Sequence, residues 1–363
     1  MIYKTFKGVF GLKTTNKLLS VIMAVCIFVL PLAMNVNAAG ATRAALPLSA
    51  GLDALRGQFK SGVADESDGY ALDYCYYSPA GKNDNKKYPV VIYLHGIGHG
   101  SYVGSQLDDS TMATWASAEL QAKWNTGGAY ILLPRCPEDK LQYWNKNLIN
   151  PLRTLIDCFI EENYKNVDTT RIFVGGSSAG GEMTWDLAIE YPEYFAGIFP
   201  LAATGVRTAD DIKKTSDISV WVFASTLDPI INYAANTLPQ WSLICKHNSN
   251  PANCRLSSFS VVLNPDGSLG DSSHRLYTTI MYDLFMEDGS VYPNVTTVNG
   301  LDETVSFANS KGIISWMSNT HSSFTGTPDG NNSSVSIIST ILIPFRNLFL
   351  KIVNIFQRIL GFV

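Results

Sequence analysis

One segment restricts the fold more than any other: an apolar strand pattern that enters a glycine-rich turn and continues directly as a helix pattern. It reads RIFVGGSSAGGEMTW, residues 171–185. Within it, GSSAG matches G-x-S-x-G, in which a serine lies on a strained turn between a strand and a helix. The pattern predicts that Ser178 is a nucleophile and that the backbone N–H of Ala179 points at a developing oxyanion. Ser177 is the adjacent alternative, but its frame ends on Ala179 and not on glycine.

The rest of the chain predicts what surrounds this turn. From residue 70 to residue 320, short β-rich runs alternate with longer helical patterns, which is typical of an α/β fold with a mostly parallel sheet flanked by helices. The predicted strands are Ala71–Tyr77, Pro89–Leu94, Ala129–Pro134, Arg171–Val174, Gly197–Leu201, Val220–Ala224 and Ser258–Leu263. The predicted helices are Thr111–Lys123, Ile149–Glu162, Gly181–Glu190, Ile231–Lys246 and Glu303–Asn319. Only one short helix fits between the fifth and sixth of these strands, so we expect no large lid domain there.

A second glycine-rich strand exit lies upstream of the turn. The sequence YPVVIYLHGIGHG, residues 88–100, is a buried strand pattern that ends in HGIG. Its glycines permit a close backbone approach, and we expect the N–H of Ile97 to be the second oxyanion donor. A glycine-rich strand exit without a catalytic role is the alternative. We interpret His95 as structural.

A serine nucleophile on such a turn needs a general base held by an acid, and these follow in the chain order serine, acid, histidine. Asp228 comes directly after the sixth predicted strand, where the acid is expected. Three histidines follow it. His247 precedes the last predicted strand and His321 follows the final predicted helix, whereas His274 lies in a polar loop after that strand. We therefore predict that His274 is the base and Asp228 its partner.

These residues resemble the carboxylesterase and predicted-peptidase branch of the α/β-hydrolases, whose relatives include feruloyl and acetyl esterases and polyhydroxyalkanoate depolymerase-like proteins. The resembling stretches are YPVVIYLHGIGHG, ILLPRCPED with Trp144 after it, VDTTRIFVGGSSAGGEMTWDLAIEYPEYFAG and VWVFASTLDPI. They cover residues 70–235 in the right order. The resemblance implies the α/β-hydrolase fold and ester hydrolysis, with no metal or organic cofactor. It weakens after Asp228, because His274 lacks the Gly-His context common in these enzymes.

The N-terminus predicts export. Four lysines, at positions 4, 7, 13 and 17, precede the apolar run Leu18–Met34, and the small-x-small sequence VNA follows, with cleavage expected after Ala38. We interpret residues 1–38 as a signal peptide and the protein as secreted or extracytoplasmic. An uncleaved membrane anchor is the alternative.

The central part of the chain, residues 39–324, is predicted to be the catalytic domain. The formal net charge of −4 becomes −11 for residues 39–334, when the four lysines of residues 1–38 and the three basic residues of 335–363 are left out. A body this acidic repels a phosphate backbone, which excludes nucleic acid as a partner. Cys245 and Cys254 flank a polar turn, a spacing that permits a disulfide in an oxidising compartment. No cluster of cysteine and histidine predicts a metal site.

The C-terminal end has a separate organisation. Residues 325–334, TGTPDGNNSS, predict a polar linker. Residues 335–363 contain a basic amphipathic helix pattern, in which a polar arc with Arg346, Lys351 and Arg358 is opposite a broad apolar arc. No uncharged apolar run there approaches the ~20 residues needed to cross a bilayer. We expect the helix to bind the membrane surface; packing on the protein itself or on a second subunit is the alternative.

These features predict a secreted serine ester hydrolase that forms an acyl-enzyme on Ser178. Its substrates would be acyl or feruloyl esters of polysaccharides, or other short acyl esters. A serine peptidase of the same fold is an alternative, because the same nucleophile and oxyanion donors serve both bonds. A non-catalytic surface-binding protein is the other alternative.

Deletion of residues 335–363 tests the membrane interpretation. Without the apolar arc and its three basic residues, the protein should no longer co-sediment with anionic lipid vesicles, while turnover of a soluble ester stays unchanged. The full chain is the control. Equal sedimentation of the two forms would contradict membrane binding by this segment.

Overall fold

The structure is a computed structural model that describes residues 50–80, 85–107, 112–203, 205–263, 272–280, 283, 295–305 and 312–322. Contacts between Cα atoms divide the chain into Met1–Ala41 and Thr42–Val363, and every described residue belongs to the second unit. The predicted signal peptide, linker and C-terminal helix lie outside the described residues.

A mixed sheet of nine strands forms the centre of the described part of the chain. The strands are β1 (Lys60–Val63), β2 (Asp73–Tyr77), β3 (Tyr88–Leu94), β4 (Tyr130–Pro134), β5 (Val167–Ser177), β6 (Gly197–Leu201), β7 (Ser219–Ser225), β8 (Arg255–Phe259) and β9 (Val295–Asn299). Their order is β1-β2-β4-β3-β5-β6-β7-β8-β9. Strands β3 to β8 run parallel, and β2 and β9 pair antiparallel with β4 and β8. The prediction of a mostly parallel sheet is confirmed.

Helices flank this sheet. They are α1 (Leu52–Arg56), α2 (Ala118–Gln121), α3 (Ile149–Glu162), α4 (Ala179–Glu190), α5 (Ala209–Lys214), α6 (Leu238–His247) and α7 (Ile313–Ser318). Short 3-10 turns lie at Ser105–Leu107, Met112–Ala116, Lys146–Leu148, Pro251–Asn253 and Leu276–Thr279, and a π-helical turn lies at Tyr233–Thr237. In the residues that the structure describes, no helix has both the length and the apolar character to cross a membrane.

The sheet is buried on both faces, as a parallel sheet between helices must be. Every residue of β3, β4 and β6 is buried. Alternate residues along β3 enter two different apolar cores. Val90 packs in the core that contains Phe159 of α3 and Leu187 of α4, whereas Val91 packs in the core that contains Trp316 of α7.

Two predicted helices differ from the structure. In place of a helix over Thr111–Lys123, a 3-10 turn and α2 are separated by the extended Ser117, whose hydroxyl oxygen caps α2. Of the helix predicted over Glu303–Asn319, the later described residues form the helix α7. The first residues of the predicted helix instead extend the sheet edge, because Val305 N–H donates to the carbonyl oxygen of Thr297 in β9 at 2.9 Å.

The strand predictions miss both edges of the sheet. The strand predicted at Ser258–Leu263 is β8, which begins three residues earlier and ends at Phe259. Neither β1 (KSGV) nor β9 (VTTVN) is predicted, since β1 is exposed and contains a glycine, and β9 is rich in polar residues. Their conformation follows from pairing with β2 and β8, which the local sequence does not specify.

The loops that follow β3 to β8 lie at one edge of the sheet because these strands are parallel; we name it the carboxyl edge. Ser178 follows β5, Asp228 lies three residues after β7, and His274 lies in the segment after β8. The described residues between β6 and β7 hold α5 and short connections. No large lid is present in them, as predicted.

Candidate active site

Ser178 occupies a turn with a strained backbone. Its φ is 54° and its ψ is −118°, between the end of β5 and the start of α4. Few non-glycine residues adopt a positive φ, and those that do are concentrated at functional sites. Hydrogen bonds fix both sides of the turn: Ser178 N–H donates to Leu201 O at 2.9 Å, and Glu182 N–H donates to Ser178 O at 3.0 Å.

Two glycines allow this turn to lie against the end of β3. A Cβ on Gly176 would lie 2.5 Å from the carbonyl oxygen of Leu94, and a Cβ on Gly180 would lie 2.0 Å from the same oxygen. Both obstructions are backbone atoms, so a change of side-chain rotamer does not relieve them. Both glycines of the G-x-S-x-G pattern are therefore required for the same reason, the close approach of the Leu94 carbonyl oxygen.

Burial distinguishes the two adjacent serines. Ser177 is the last residue of β5 and is 4% exposed, whereas Ser178 is partly exposed. An attacking oxygen has to reach a substrate from the solvent side. The geometry therefore favours Ser178 over Ser177 as the nucleophile.

Asp228 and His274 form a hydrogen-bonded pair although 46 positions separate them in the chain. His274 Nδ1 lies 2.8 Å from Asp228 Oδ2, and the Asp228 side chain is 2% exposed. Asp228 Oδ1 accepts from the N–H groups of Ile230 and Ile231 at 2.8 and 2.9 Å. Burial opposes ionisation of this carboxyl, but the hydrogen bonds from His274 and the two N–H groups outweigh it and hold the pKa of Asp228 below its usual value.

The other two candidate histidines have different surroundings. His321 is exposed after the end of α7, and His247 is the last residue of α6. Within the described ranges, His274 alone among the three hydrogen-bonds Asp228. Of the three, it is the one whose ring is oriented by a buried carboxylate, as a general base requires.

Ser178 and His274 lie at the same edge of the sheet without a direct bond. Among the described residues, no hydrogen bond joins Ser178 Oγ to His274, although the turn Leu276–Thr279, just after His274, contacts both β5 and β7. The hydrogen bond between a nucleophile and its base is often long without substrate and shortens in the substrate complex. The structure thus brings Asp228 and His274 into contact and places Ser178 at the same carboxyl edge.

The predicted oxyanion loop lies against the serine turn. A Cβ on Gly96 would lie 3.7 Å from the Cβ of Ser178 and 3.5 Å from the carbonyl oxygen of Ser177. Neither Ile97 N–H nor Ala179 N–H donates to an acceptor in the part of the chain that the structure describes. Ala179 is the first residue of α4, where a backbone N–H has no partner within the helix. Both predicted donors are therefore available to a ligand.

A carboxylate from the loop after β4 holds the oxyanion loop. Glu138 accepts from Gly98 N–H at 2.9 and 3.1 Å, one distance for each oxygen, and from Gly100 N–H at 3.0 Å. Arg135 Nη1–H donates to Gly100 O at 2.8 Å, and the same guanidinium pairs with Asp73 of β2 at 2.7 Å. These contacts fix the backbone that follows Ile97.

His95 supports the same loop through contacts with the backbone. Its Nδ1 lies 2.7 Å from Gly96 O, and its Nε2 accepts from Cys136 N–H at 3.0 Å, so the ring has the neutral tautomer with the proton on Nδ1. Burial lowers the pKa of His95 to about 4. Trp144 Nε1–H donates to His95 O at 2.9 Å. The ring is thus committed to backbone contacts on both sides.

Sequence reasoning assigned no role to Glu138 or Arg135. Both lie in the stretch ILLPRCPED, which resembles the family without indicating a role for either residue. The available signal was their position directly after β4, a neighbour of β3 in the sheet. Charged residues at that point face the adjacent loop at the same edge.

The described cysteines are all free thiols, so the disulfide considered between Cys245 and Cys254 is not formed. Burial raises the pKa of Cys254 to about 12 and that of Cys245 to about 11, so neither is a ready thiolate. Among the residues that the structure describes, no group of three or more histidine, cysteine or acidic side chains is arranged to hold a metal ion.

Comparisons identify several known proteins to which this chain is similar. A poly(3-hydroxybutyrate) depolymerase of Ralstonia pickettii is 30% identical over 151 residues, which are 38% of this chain and 30% of that enzyme. The structure of a thermostable esterase superposes with a TM-score of 0.53 at 22% identity, over 63% of this chain and 61% of that one. A ferulic acid esterase of the anaerobic fungus Anaeromyces mucronatus gives 0.42 at 20% identity, over 52% and 78%. No protein-family model matches the chain.

The sheet order, the turn at Ser178 and the likeness to the thermostable esterase define the class: this chain has the α/β-hydrolase fold. The fold prediction is confirmed. The chain aligns with less than a third of the depolymerase and less than two thirds of the thermostable esterase.

Substitution of the two histidines tests the assignment of the base. His274→Ala removes the ring that Asp228 orients, so kcat/KM for p-nitrophenyl acetate should fall by about 10³-fold or more. His321→Ala, at an exposed position, should stay within about twofold of the wild type. The opposite pattern would reassign the base to His321.

Replacement of Glu138 tests the support of the oxyanion loop. Glu138→Ala should lower kcat for the same ester by about tenfold to hundredfold, less than the ~10²–10³ lost when an oxyanion donor itself is removed. Glu190→Ala, an exposed glutamate at the end of α4, is the control and should leave kcat unchanged. A Glu138→Ala enzyme with wild-type kcat would show that Gly98 and Gly100 keep their positions without the carboxylate.

Proposed function

We propose that this protein is a secreted serine carboxylic ester hydrolase that works through an acyl-enzyme on Ser178. One observation carries the proposal: a buried Asp228 orients His274 at the sheet edge where Ser178 lies on a strained turn, with two unpartnered N–H groups beside it. This combination of nucleophile, oriented imidazole and oxyanion donors is what acyl transfer requires.

The chemistry follows from the roles of these groups. Ser178 Oγ attacks the acyl carbon while His274 Nε2 takes the hydroxyl proton, and Asp228 stabilises the imidazolium through Nδ1–H. The N–H groups of Ile97 and Ala179 donate to the oxyanion of the tetrahedral intermediate, and each such donor contributes about 10²–10³ in rate. His274 then protonates the leaving alcohol. His274 Nε2 next takes a proton from water as the water oxygen attacks the acyl carbon, and it passes this proton to Ser178 Oγ as the acid is released.

The substrate proposed is a carboxylic ester with a short acyl or feruloyl group, attached to a polysaccharide or to another alcohol. Two considerations support it. The relatives named above include two esterases and a polyester depolymerase. The described residues between β6 and β7 form no lid, so a bulky or polymer-attached ester has access to the site. Export, and contact with the outer face of the membrane, are proposals that rest on the terminal sequence patterns alone.

The experiment that tests this function compares the purified protein with two serine variants on p-nitrophenyl acetate. Ser178→Ala removes the attacking oxygen and should lower kcat/KM by about 10³-fold or more. Ser177→Ala is the matched control, at the neighbouring position, and should keep most of the activity. Activity that survives in Ser178→Ala and disappears in Ser177→Ala would overturn the assignment, and an inactive wild-type protein would contradict ester hydrolysis.

A further inference from the structure

Large apolar side chains that are exposed in the described residues are concentrated at the carboxyl edge. Six of them lie in the loops after β3, β6 and β7, and we name this set the apolar rim: Ile97, Tyr102, Val103, Val206, Leu227 and Ile230. Their exposed fractions lie between 43% and 67%. Exposed apolar residues that occur singly need no explanation, but a concentration around one site indicates an interaction surface.

The rim loops lie on both sides of the serine turn. In the sheet, β3 is next to β5 on one side, and β6 and β7 follow on the other. The β3 loop touches the turn through Gly96, as described above. The β6 loop is tied to the helix after the turn, because Arg207 Nη2–H donates to Glu182 O at 2.9 Å. Ser178 therefore lies between the two halves of the apolar rim.

Few charged residues occur in the described parts of these loops. Residues 95–107 contain no acidic or basic residue other than two histidines. The charged residue described in the β6 loop is Arg207, whose Nη1 lies 3.3 Å from Asp186 Oδ1 and whose side chain is 14% exposed. The charged residue that directly follows β7 is Asp228, already committed to His274. In the described parts of these loops, the apolar rim is exposed, and the charged side chains Arg207 and Asp228 pair with neighbouring groups.

The apolar character of the rim favours some classes of ester substrate over others. Five of the six rim residues are aliphatic, and an aliphatic surface offers no hydrogen-bond partners to sugar hydroxyls, which are costly to desolvate unpaired. Anionic lipid headgroups attract lysine and arginine side chains, and Arg207, the only one in the described parts of the rim loops, is already paired with Asp186. Uncharged aliphatic chains have no hydrogen bonds or charges to lose, and their contact with the rim is favourable because it removes apolar surface from water.

We propose that the apolar rim binds an uncharged aliphatic ester in a water-insoluble phase, so that the enzyme adsorbs to the substrate surface with Ser178 at the centre of the contact. This inference rests on the proposed function and specifies its substrate class. It separates two properties of the protein: adsorption, which depends on the rim, and turnover of a soluble ester, which depends on the catalytic groups.

The test uses the full chain and two triple variants. The rim variant Val103→Ser/Val206→Ser/Leu227→Ser changes one residue in each rim loop and leaves out Ile97 and Ile230, whose backbone N–H groups belong to the site. The control variant Val63→Ser/Tyr164→Ser/Leu301→Ser changes three residues that are 54–65% exposed and lie outside the loops that follow the parallel strands. Adsorption to polycaprolactone particles is measured by sedimentation, and turnover is measured on the particles, on acetylated xylan and on p-nitrophenyl acetate.

The rim variant should keep wild-type turnover of p-nitrophenyl acetate within about twofold and lose at least about tenfold in adsorption to the particles and in their hydrolysis. The control variant should match the wild type in all assays. Equal adsorption by the rim variant and the wild type would overturn the proposal. A wild-type protein that deacetylates xylan but neither adsorbs to the particles nor hydrolyses them would also overturn it.

The inactive Ser178→Ala protein separates this proposal from the proposed function. It should adsorb like the wild type, since the rim is intact. If the wild-type protein adsorbs through the rim but hydrolyses no ester, the proposed adsorption surface is kept and the proposed esterase function is rejected. If the protein hydrolyses a soluble ester but its adsorption does not depend on the rim, the proposed adsorption surface is rejected and the proposed esterase function is kept.

Discussion

The site depends on a backbone contact between the end of β3 and the turn that carries Ser178. The carbonyl oxygen of Leu94 lies where a Cβ of Gly176 or Gly180 would be, so the chain can make this contact only with glycine at both positions. The contact holds Ser178 at a φ of 54° and brings Gly96 beside it. One packing constraint between parallel strands therefore brings Ser178 and the loop that contains Ile97 together.

Rigid support around this contact comes from groups that do not meet the substrate. Glu138 accepts three hydrogen bonds from the backbone of Gly98 and Gly100, and a neutral His95 connects two further backbone groups. Opposite them, the backbone after β7 donates two N–H groups to Asp228 and so orients His274. A preorganised site of this kind needs little rearrangement when charge develops in the transition state.

Local sequence predicted the parts of the fold that short-range patterns determine. The helix Ile149–Glu162 and the strand Gly197–Leu201 have the predicted bounds, because an amphipathic period and a buried apolar run are each encoded locally. The pairing of Asp228 with His274 was predicted from chain order and from the positions of the two residues after predicted strands. Glu138 was missed, since its role appears only when the β4 loop lies beside the β3 loop, and β9 was missed because pairing with β8 overrides its polar composition.

The most direct test of the central claim is reaction of the purified protein with a fluorophosphonate probe, followed by intact-mass measurement and peptide mapping. A nucleophilic serine oriented as described should give one added probe per chain, on the peptide that contains Ser178. The label should disappear in Ser178→Ala, persist in Ser177→Ala and form much more slowly in His274→Ala, where no imidazole takes the proton. Labelling at Ser177 or at another serine, or ester hydrolysis by a protein that takes up no probe, would contradict the account.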